Sequence, residues 1–418
     1  MFALVDANNF YASCERVFRP DLRHKPIVVL SNNDGCVIAR SNEAKTLGVA
    51  MGVPFFEVKT LCKKHNIQVF SSNYTLYGDL SARVMSVIED SWPEVEIYSI
   101  DEAFLDLTTL PKRLHDSFCI DLQKKILKYI GIPTSIGIGP TKTLAKLANH
   151  VAKKVLKIPV FNMTEQRHWL KTIDVGEVWG VGRSWHKKLQ QRGIYAAADL
   201  ASVHYPFIRD RFNVMLMRTA MELGGIACIE LEVAEKSKSI MSSRSFGTLQ
   251  TEYQDLAQAI SHHCITAWEK LRKQRLITQN ITVFVYSNRH RSDLQQYHNS
   301  MEYNLTNATD DISHLVRCAK YCLRKLFKSG IHYKKVGVML SDLSDKYSRQ
   351  LDLFSEKTEV QLQRIEAKMQ LIEAINGKFG RSTLRIAAEG MAKPWEMLRT
   401  MKSPNYTTRW DELPLVKA

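Results

Sequence analysis

Three carboxylates set the chemistry open to this sequence. Asp6 follows the apolar run Met-Phe-Ala-Leu-Val. Asp101 and Glu102 stand side by side in an otherwise apolar stretch, with Val95 and Ile97 before them and Phe104, Leu105 and Leu107 after. Taken singly, Asp6 suits a turn or a helix cap as well as a reactive site. The adjacent pair fits a purely structural role poorly, because neighbouring carboxylates repel and raise one another's pKa unless a cation neutralises them. Mg2+ meets that need: it prefers carboxylate oxygens and keeps coordination positions for phosphate oxygens. Two such ions roughly 3.5–4 Å apart can activate an attacking hydroxyl and stabilise a group leaving phosphorus. Neighbouring side chains of a regular strand point to opposite faces. Both acids therefore reach one site only if the backbone turns there, or if Glu102 reaches around the strand.

The elements that must carry these acids follow from the apolar patterning. Residues 1–5 read as a strand delivering Asp6 at its end, and 26–30 as a second strand closed by the turn-rich Ser-Asn-Asn-Asp-Gly at 31–35. Helical patterning covers 41–47, residues 95–107 suit a hairpin, and a strand at 134–138 precedes a basic helix at 140–154. Strands interleaved with helices indicate a mixed α/β body. Residues 170–230 are mainly helical, punctuated by Gly180, Gly182 and Gly193, and the charged stretch 230–238 reads as an exposed linker. A strand at 238–246 then leads to a helix with Leu256, Ala259, Ile260, Ala267 and Leu271 on one face. Strands at 281–286 and 296–305 precede a helix that turns Ile312, Leu315, Val316, Ala319, Leu323 and Leu326 inward, and Val336, Val338 and Leu340 supply a last strand. That β-α-β-β-α-β order is a separate small domain. Residues 345–418 are polar and irregular and read as a tail with limited structure.

Length and composition bound the answer. The 418 residues suggest two to four domains, and 45% hydrophobic with 24% charged residues is the balance of a folded soluble protein. The 58 Lys and Arg outnumber the 43 Asp and Glu, giving +15, an excess that favours a polyanionic partner. No segment combines a basic face with a strongly apolar one, no apolar run approaches a membrane span, and the first residues are not a signal peptide, so a cytoplasmic protein is expected. Eight cysteines include no CxxC pair, and Cys318 and Cys322 fall on the apolar face of a helix, which indicates packing rather than zinc.

Five ordered blocks narrow the reading: VDANNFYASCE at 5–15, SNNDGCVIARSNEAKTLGV at 31–49, FSSNYTLYGDLSARVM at 70–85, EIYSIDEAFLDLT at 96–108 and GIGPTKTLAKLANHVAKK at 137–154. Together they resemble the Y-family translesion DNA polymerases, in the ImpB/MucB/SamB-type branch. The resemblance implies an α+β multidomain, right-hand polymerase. Its parts would be a ferredoxin-like palm (1–10 and 72–165), small fingers (11–71), a helical helix-hairpin-helix thumb (166–232), a β-α-β-β-α-β little finger (233–345) and a C-terminal tail (346–418). It implies that Asp6, Asp101 and Glu102, with the carbonyl of Ala7, bind two Mg2+ ions, and that Tyr11 is a steric gate excluding the ribose 2′-hydroxyl. Lys153 matches the family lysine for the incoming triphosphate. Asn42 and Lys45 stand where many relatives have tyrosine and arginine, and Lys45 lacks the planar fork of arginine.

Outside the catalytic body, Val178-Trp179-Gly180-Val181-Gly182 resembles a helix-hairpin-helix whose glycines, Gly180 and Gly182, admit a DNA phosphate to backbone amides. Lys236, Lys238 and Arg244, with Arg289, His290 and Arg291, suit sequence-independent backbone binding. Gln350, Leu351, Asp352, Leu353 and Phe354 resemble the pentapeptide by which bacterial polymerases bind the sliding clamp, and 381–390 and 403–414 match the terminal region of the branch. The resemblance implies error-prone synthesis across damaged template in the SOS response. It also implies primer-template DNA, deoxynucleoside triphosphates, a processed UmuD-type dimer, RecA and the sliding clamp as partners. No second acidic cluster suggests a proofreading site. A non-catalytic scaffold bound to DNA and clamp, and a nucleotidyl cyclase built on a similar palm, are the competing readings.

Overall fold

The structure, a computed structural model, describes residues 1–232, 236–348, 359–380, 382–391 and 395–414. The chain forms two compact units, Met1–Val233 with Thr400–Ala418, and Ala234–Arg399.

In the first unit, β1 (Phe2–Ala7) leads to α1 (Phe10–Val17), then β2 (Ile27–Leu30), β3 (Val37–Arg40), the short α2 (Asn42–Thr46), α3 (Phe55–Lys64) and β4 (Gln68–Ser71). There follow α4 (Tyr74–Glu89), β5 (Val95–Ile97), β6 (Glu102–Asp106), α5 (His115–Ile130), β7 (Thr134–Gly139), α6 (Lys142–His150) and β8 (Val160–Asn162). The main sheet has the order β5-β6-β1-β7-β8, and β1 runs antiparallel to both neighbours. Strand alternation divides β1 between two cores. Ala3, Val5 and Ala7 join one apolar cluster with residues of α1, α4 and α5, whereas Phe2 and Leu4 pack with Phe104 and Ala145 on the other face. Asp6 has the parity of that second face, where α6 lies.

Two glycines let α6 come down onto the sheet. A Cβ on Gly137 would stand 2.1 Å from the Asn149 nitrogen and 2.3 Å from the Ala145 oxygen, and one on Gly139 2.6 Å from the Ala145 nitrogen. Only a bare Cα fits. A smaller sheet, β3-β2-β4, packs on α3 through Val28, Leu30, Val58 and Cys62. After β8 come α7 (Arg183–Gln190), α8 (Ala197–Ser202), α9 (Tyr205–Arg211) and α10 (Val214–Leu223), as the helical patterning anticipates. They enclose Leu189, Leu200, Ile208 and Leu223 together with Leu144 and Leu147 of α6. The stretch expected as exposed linker begins docked: Leu231 packs on the Phe2–Leu4 face, and the Glu232 amide donates to Glu96 at 2.8 Å.

The second unit runs β9 (Ile240–Gln250), α11 (Tyr253–Lys273), β10 (Leu276–Ser287), β11 (His298–Thr309), α12 (Ile312–Leu326) and β12 (Tyr333–Asp345), the order read from the sequence. Its antiparallel sheet has the order β11-β10-β12-β9, and the apolar faces named for the two helices are buried against it, Cys318 and Cys322 included. The expected tail of limited structure is corrected here. Residues Glu359–Phe379 form α13, with Met369 fully buried and Ile365 and Ile372 packed on the core. Arg272 fastens this helix, donating to Asp310 (2.5 Å), Glu366 (2.8 Å) and Glu373 (2.7 Å). Val360, Leu371 and Phe379 of the same helix are exposed, so its apolar residues do not gather on one face.

Thr400–Leu413 also departs from a tail, because it packs on the first unit. Ser71 and Lys402 form a parallel bridge, Thr400 donates to Asp34, and Tyr406 stacks on Phe18 with centroids 4.7 Å apart. Gln350–Phe354, expected to bind the clamp, lies outside the described residues.

Replacing Gly137 with alanine should destabilise the first unit by about 1–3 kcal/mol, the usual cost of overpacking. Gly182→Ala, with nothing within 4 Å of the added methyl, should change stability by no more than about 0.5 kcal/mol. Thermal unfolding of both variants checks the contrast.

Candidate active site

The adjacency of Asp101 and Glu102 is resolved by a turn. β5 and β6 pair as a hairpin, with Ile97 opposite Ala103, and Ser99–Asp101 form its connection. The Tyr98 and Ser99 amides both donate to the Glu102 oxygen at 3.1 Å, and Ser99 Oγ donates to Asp101 Oδ1 at 2.7 Å. Asp101 thus sits in the turn while Glu102 opens β6. The ladder sets Asp6 directly opposite Glu102, and the Ala7 amide donates to the Asp101 carbonyl at 2.8 Å. All three acids meet at one end of the β1–β6 pair.

Lysines answer this negative charge. Lys153 Nζ stands 2.7 Å from Asp6 Oδ1, and Lys146 Nζ 2.9 Å from Glu102 Oε2. The basic helix expected over 140–154 is in fact α6 followed by a π-helical turn, Val151–Leu156, and Lys153 lies on that wider turn. Lys146 also lies 4.5 Å from the Tyr98 ring centroid, and Trp179 Nε1 donates to the Tyr98 hydroxyl at 3.1 Å. Burial pushes the Asp6 carboxyl up to about 6 against the pull of Lys153, and the charges of Glu102 and Asp101 raise it further. Among the described residues no three His, Cys, Asp or Glu side chains form a ready-made metal cluster. The donor set nonetheless suits a hard divalent cation: all are carboxylate oxygens, and a buried, mutually repelling group needs positive charge, which two ammonium groups supply in this state.

Beside the acids opens a cavity of about 860 Å3, lined by Asp6, Asn9, Asn42, Lys45, Glu102, Lys146, His150 and Lys153 among others. It therefore gathers both fingers residues named from sequence, Asn42 and Lys45, with Lys153. Asn9, left-handed at φ 51°, caps the start of α1 and donates to Asn42 Oδ1 at 3.1 Å, and Lys45 donates to the Asn9 oxygen. Burial, then the nearby Arg40, Lys153 and Lys154 cations, lower the Lys45 pKa. Lys154 is exposed and pairs with Glu177 at 3.3 Å. Ala7, Tyr11 and Asp101 do not line this cavity. Tyr11 is half-buried on α1, and its ring stacks on Tyr77 at 4.5 Å and 16°. Asp101 lies close enough to help raise the Tyr11 pKa, after burial and Tyr74. Sequence reasoning missed Asn9 and Lys146. The signals were present as the Asn8-Asn9 pair after Asp6 and the four-residue step from Lys142 to Lys146 to His150.

The other named residues lie outside this cleft. Gly180 adopts φ +85°, and Gly182 caps α7 with open space around its Cα, so the turn ahead of α7 is accessible. In the second unit Lys236 pairs with Asp345 at 2.5 Å and Arg291 with Asp293 at 2.6 Å, which offsets part of the positive charge assigned to them. Arg244 lies on β9, Arg289 donates to His290 at 3.3 Å, and Lys238 is exposed.

The fold is that of the Y-family DNA polymerases. A solved Y-family DNA polymerase chimera of Dbh and Dpo4 superposes with a TM-score of 0.67 at 22% identity, covering 82% of this chain and all of the other. The chain belongs to the impB/mucB/samB family, whose model matches residues 5–150 and whose C-terminal domain matches 237–353. A domain of unknown function matches 367–416. Protein UmuC of Salmonella typhimurium strain LT2 is 44% identical and protein SamB of Salmonella typhimurium 42%, each over the full length of both chains. DNA polymerase IV of Bacillus velezensis is 27% identical over 92% of each chain. Among the described residues no helix is long and apolar enough to cross a membrane.

The position of Asp6 predicts a pH effect. Its folded value of about 6 exceeds the ordinary 3.8, so its contribution to stability is fully present below the unfolded value and lost as pH rises through about 6. The loss is on the order of 2–3 kcal/mol. In chelator, thermal unfolding from about pH 4 to about pH 8 should show the parent losing more stability than Asp6→Asn; parallel curves would refute the assignment.

Proposed function

We propose that this chain is a translesion DNA-directed DNA polymerase in which Asp6, Asp101 and Glu102, with the Ala7 carbonyl, hold two Mg2+ ions. The observation that carries this is the pairing of Asp6 with Glu102 across β1 and β6, beside a basic cavity that includes Lys45 and Lys153. The reaction is attack of a primer 3′-hydroxyl on the α-phosphate of a deoxynucleotide, with loss of pyrophosphate. When bound, the ions supply activation of the hydroxyl and neutralisation of the charge on the leaving oxygens.

The chain's own residues receive and orient the substrate. Lys153 turns from Asp6 to the triphosphate, and Lys45, steadied by Asn9 and Asn42, supplies a second positive charge to it. The Tyr11 ring occupies the space that a ribose 2′-hydroxyl needs, so deoxynucleotides are preferred. Gly180 and Gly182 admit a DNA phosphate to the backbone amides ahead of α7. Lys236, Lys238, Arg244, Arg289 and Arg291 meet the DNA backbone, where binding falls steeply with salt. A processed UmuD-type dimer, RecA and a sliding clamp bound through Gln350–Phe354 complete the assembly, in the cytoplasm and under the SOS response. The 44% identity to UmuC supports this part of the reading.

Primer extension past an abasic site, with the UmuD-type partner and activated RecA, tests the mechanism. Extension should require Mg2+. Asp101→Ala should lower it by at least the roughly 10²–10³-fold that loss of one charge-stabilising group costs an enzyme, while DNA binding survives. Extension equal to the parent's overturns the metal assignment. Tyr11→Ala should admit ribonucleotides, read from single-nucleotide insertion; unchanged sugar selectivity removes Tyr11 from its role.

A further inference from the structure

Tyr11 does not stand alone. Tyr77, on α4, is fully buried, and its ring lies flat against that of Tyr11. Its hydroxyl donates to Glu15 Oε1 at 2.5 Å. Glu15 is one helical turn beyond Tyr11 on α1, so Tyr77 spans two residues of one face: its ring backs Tyr11 and its hydroxyl is held by Glu15. Glu15 is itself 1% exposed, a position that a carboxyl takes only when hydrogen-bonded.

The second donor to Glu15 comes from 388 residues away. Ser403 Oγ donates to the same Oε1 at 3.1 Å. The fully buried Asn73 donates from Nδ2 to the Ser403 carbonyl at 3.1 Å, to Ser403 Oγ at 3.0 Å and to the Pro404 carbonyl at 3.2 Å. Asn73 is also the cap of α4, its Oδ1 accepting from the Leu76 amide at 3.4 Å. Ser403 therefore holds both the start of the helix that carries Tyr77 and the acceptor of the Tyr77 hydroxyl. On either side the segment is anchored again, by the Met401 amide to Ser71 Oγ at 2.9 Å and by Tyr406 on Phe18. A segment lying loosely on the surface would not place the Ser403 side chain inside this core, where burying a polar group without partners is costly.

We propose that Thr400–Leu413 is a positioning element of the nucleotide site: through Ser403, Glu15 and Tyr77 it fixes the Tyr11 ring and so sets how strictly deoxyribose is distinguished from ribose. This gives a role to the end of the region matched by a domain of unknown function. It rests on the reading of Tyr11 as the sugar gate. A ring free to tilt or withdraw leaves room for a 2′-hydroxyl, whereas a ring backed by a hydrogen-bonded neighbour does not.

Single-nucleotide insertion by the full chain with its partners, comparing each deoxynucleotide with its ribonucleotide, tests the idea in Tyr11→Ala, Tyr77→Phe, Tyr77→Leu and Ser403→Ala. Tyr77→Phe keeps the packing and removes the hydrogen bond to Glu15, and Ser403→Ala keeps it and removes the two made by Ser403 Oγ, to Glu15 and from Asn73. Both should lower the deoxy-to-ribo ratio of kcat/KM by about 3–10-fold, mainly through a lower ribonucleotide KM, with deoxynucleotide kcat within about twofold of the parent. Their double variant should lose no more than the stronger single one, because both act on one hydrogen-bonded chain. Tyr77→Leu, if it folds, should lose more. Should Tyr11→Ala itself leave the ratio unchanged, the gate reading fails and takes this inference with it. A relaxed ratio in Tyr11→Ala with parental ratios in both Tyr77→Phe and Ser403→Ala overturns the positioning role alone. An equal fall in deoxy- and ribonucleotide insertion also overturns it, because it marks a purely structural contribution.

Discussion

Charge concentrated at one end of the β1–β6 pair is the constraint to which the first unit answers. Three carboxylates brought to one half-buried corner repel one another and favour cations nearby. Lys153 and Lys146 meet that demand from a single helical segment. The segment can do so only because Gly137 and Gly139 let α6 rest directly on the sheet. The same lysines border the cavity, so the charges that balance the acidic corner are already beside the space that a polyphosphate would fill. The lysines that balance the acidic corner are thus the ones the proposed substrate site would also use.

Much of this was legible in the sequence, for identifiable reasons. Asp6 stood out because it ended an apolar run, and the Asp101-Glu102 pair because it interrupted one. The demand for a turn between them followed from strand geometry alone, and Ser99–Asp101 supply it. The β-α-β-β-α-β unit was readable because its helices carry strong apolar faces and its core strands are rich in branched side chains. What escaped detection depended on partners distant in sequence. Lys146 looks like a solvated helix residue until Glu102 is known to lie 2.9 Å away. The π-helical turn that carries Lys153 leaves no local pattern at all.

The region after residue 345 shows the limit most clearly. The packed side of α13 offers Ile365, Met369 and Ile372 at helical spacing, but Val360, Leu371 and Phe379 lie exposed on the same helix and blur the stripe. In Thr400–Leu413 the contributing groups are Ser403, Pro404 and Tyr406, residue types equally common in loops. The burial of Ser403 is a property of Glu15 and Asn73, and that of Tyr406 of Phe18, rather than of their own neighbours in the chain. Polar composition therefore misread a segment whose polarity is used internally.

The route of the chain through the first unit also makes its pairings long-range. β1 lies between strands that begin at residues 102 and 134, so both of its sheet partners lie far along the chain. The hydrogen bond from Ser403 to Glu15 closes a loop of 388 residues. Pairings of such long range are slow to form and leave apolar edges exposed in the meantime. A chain that lacked Ser403 and its neighbours would keep its acidic corner and lose the support behind Tyr11.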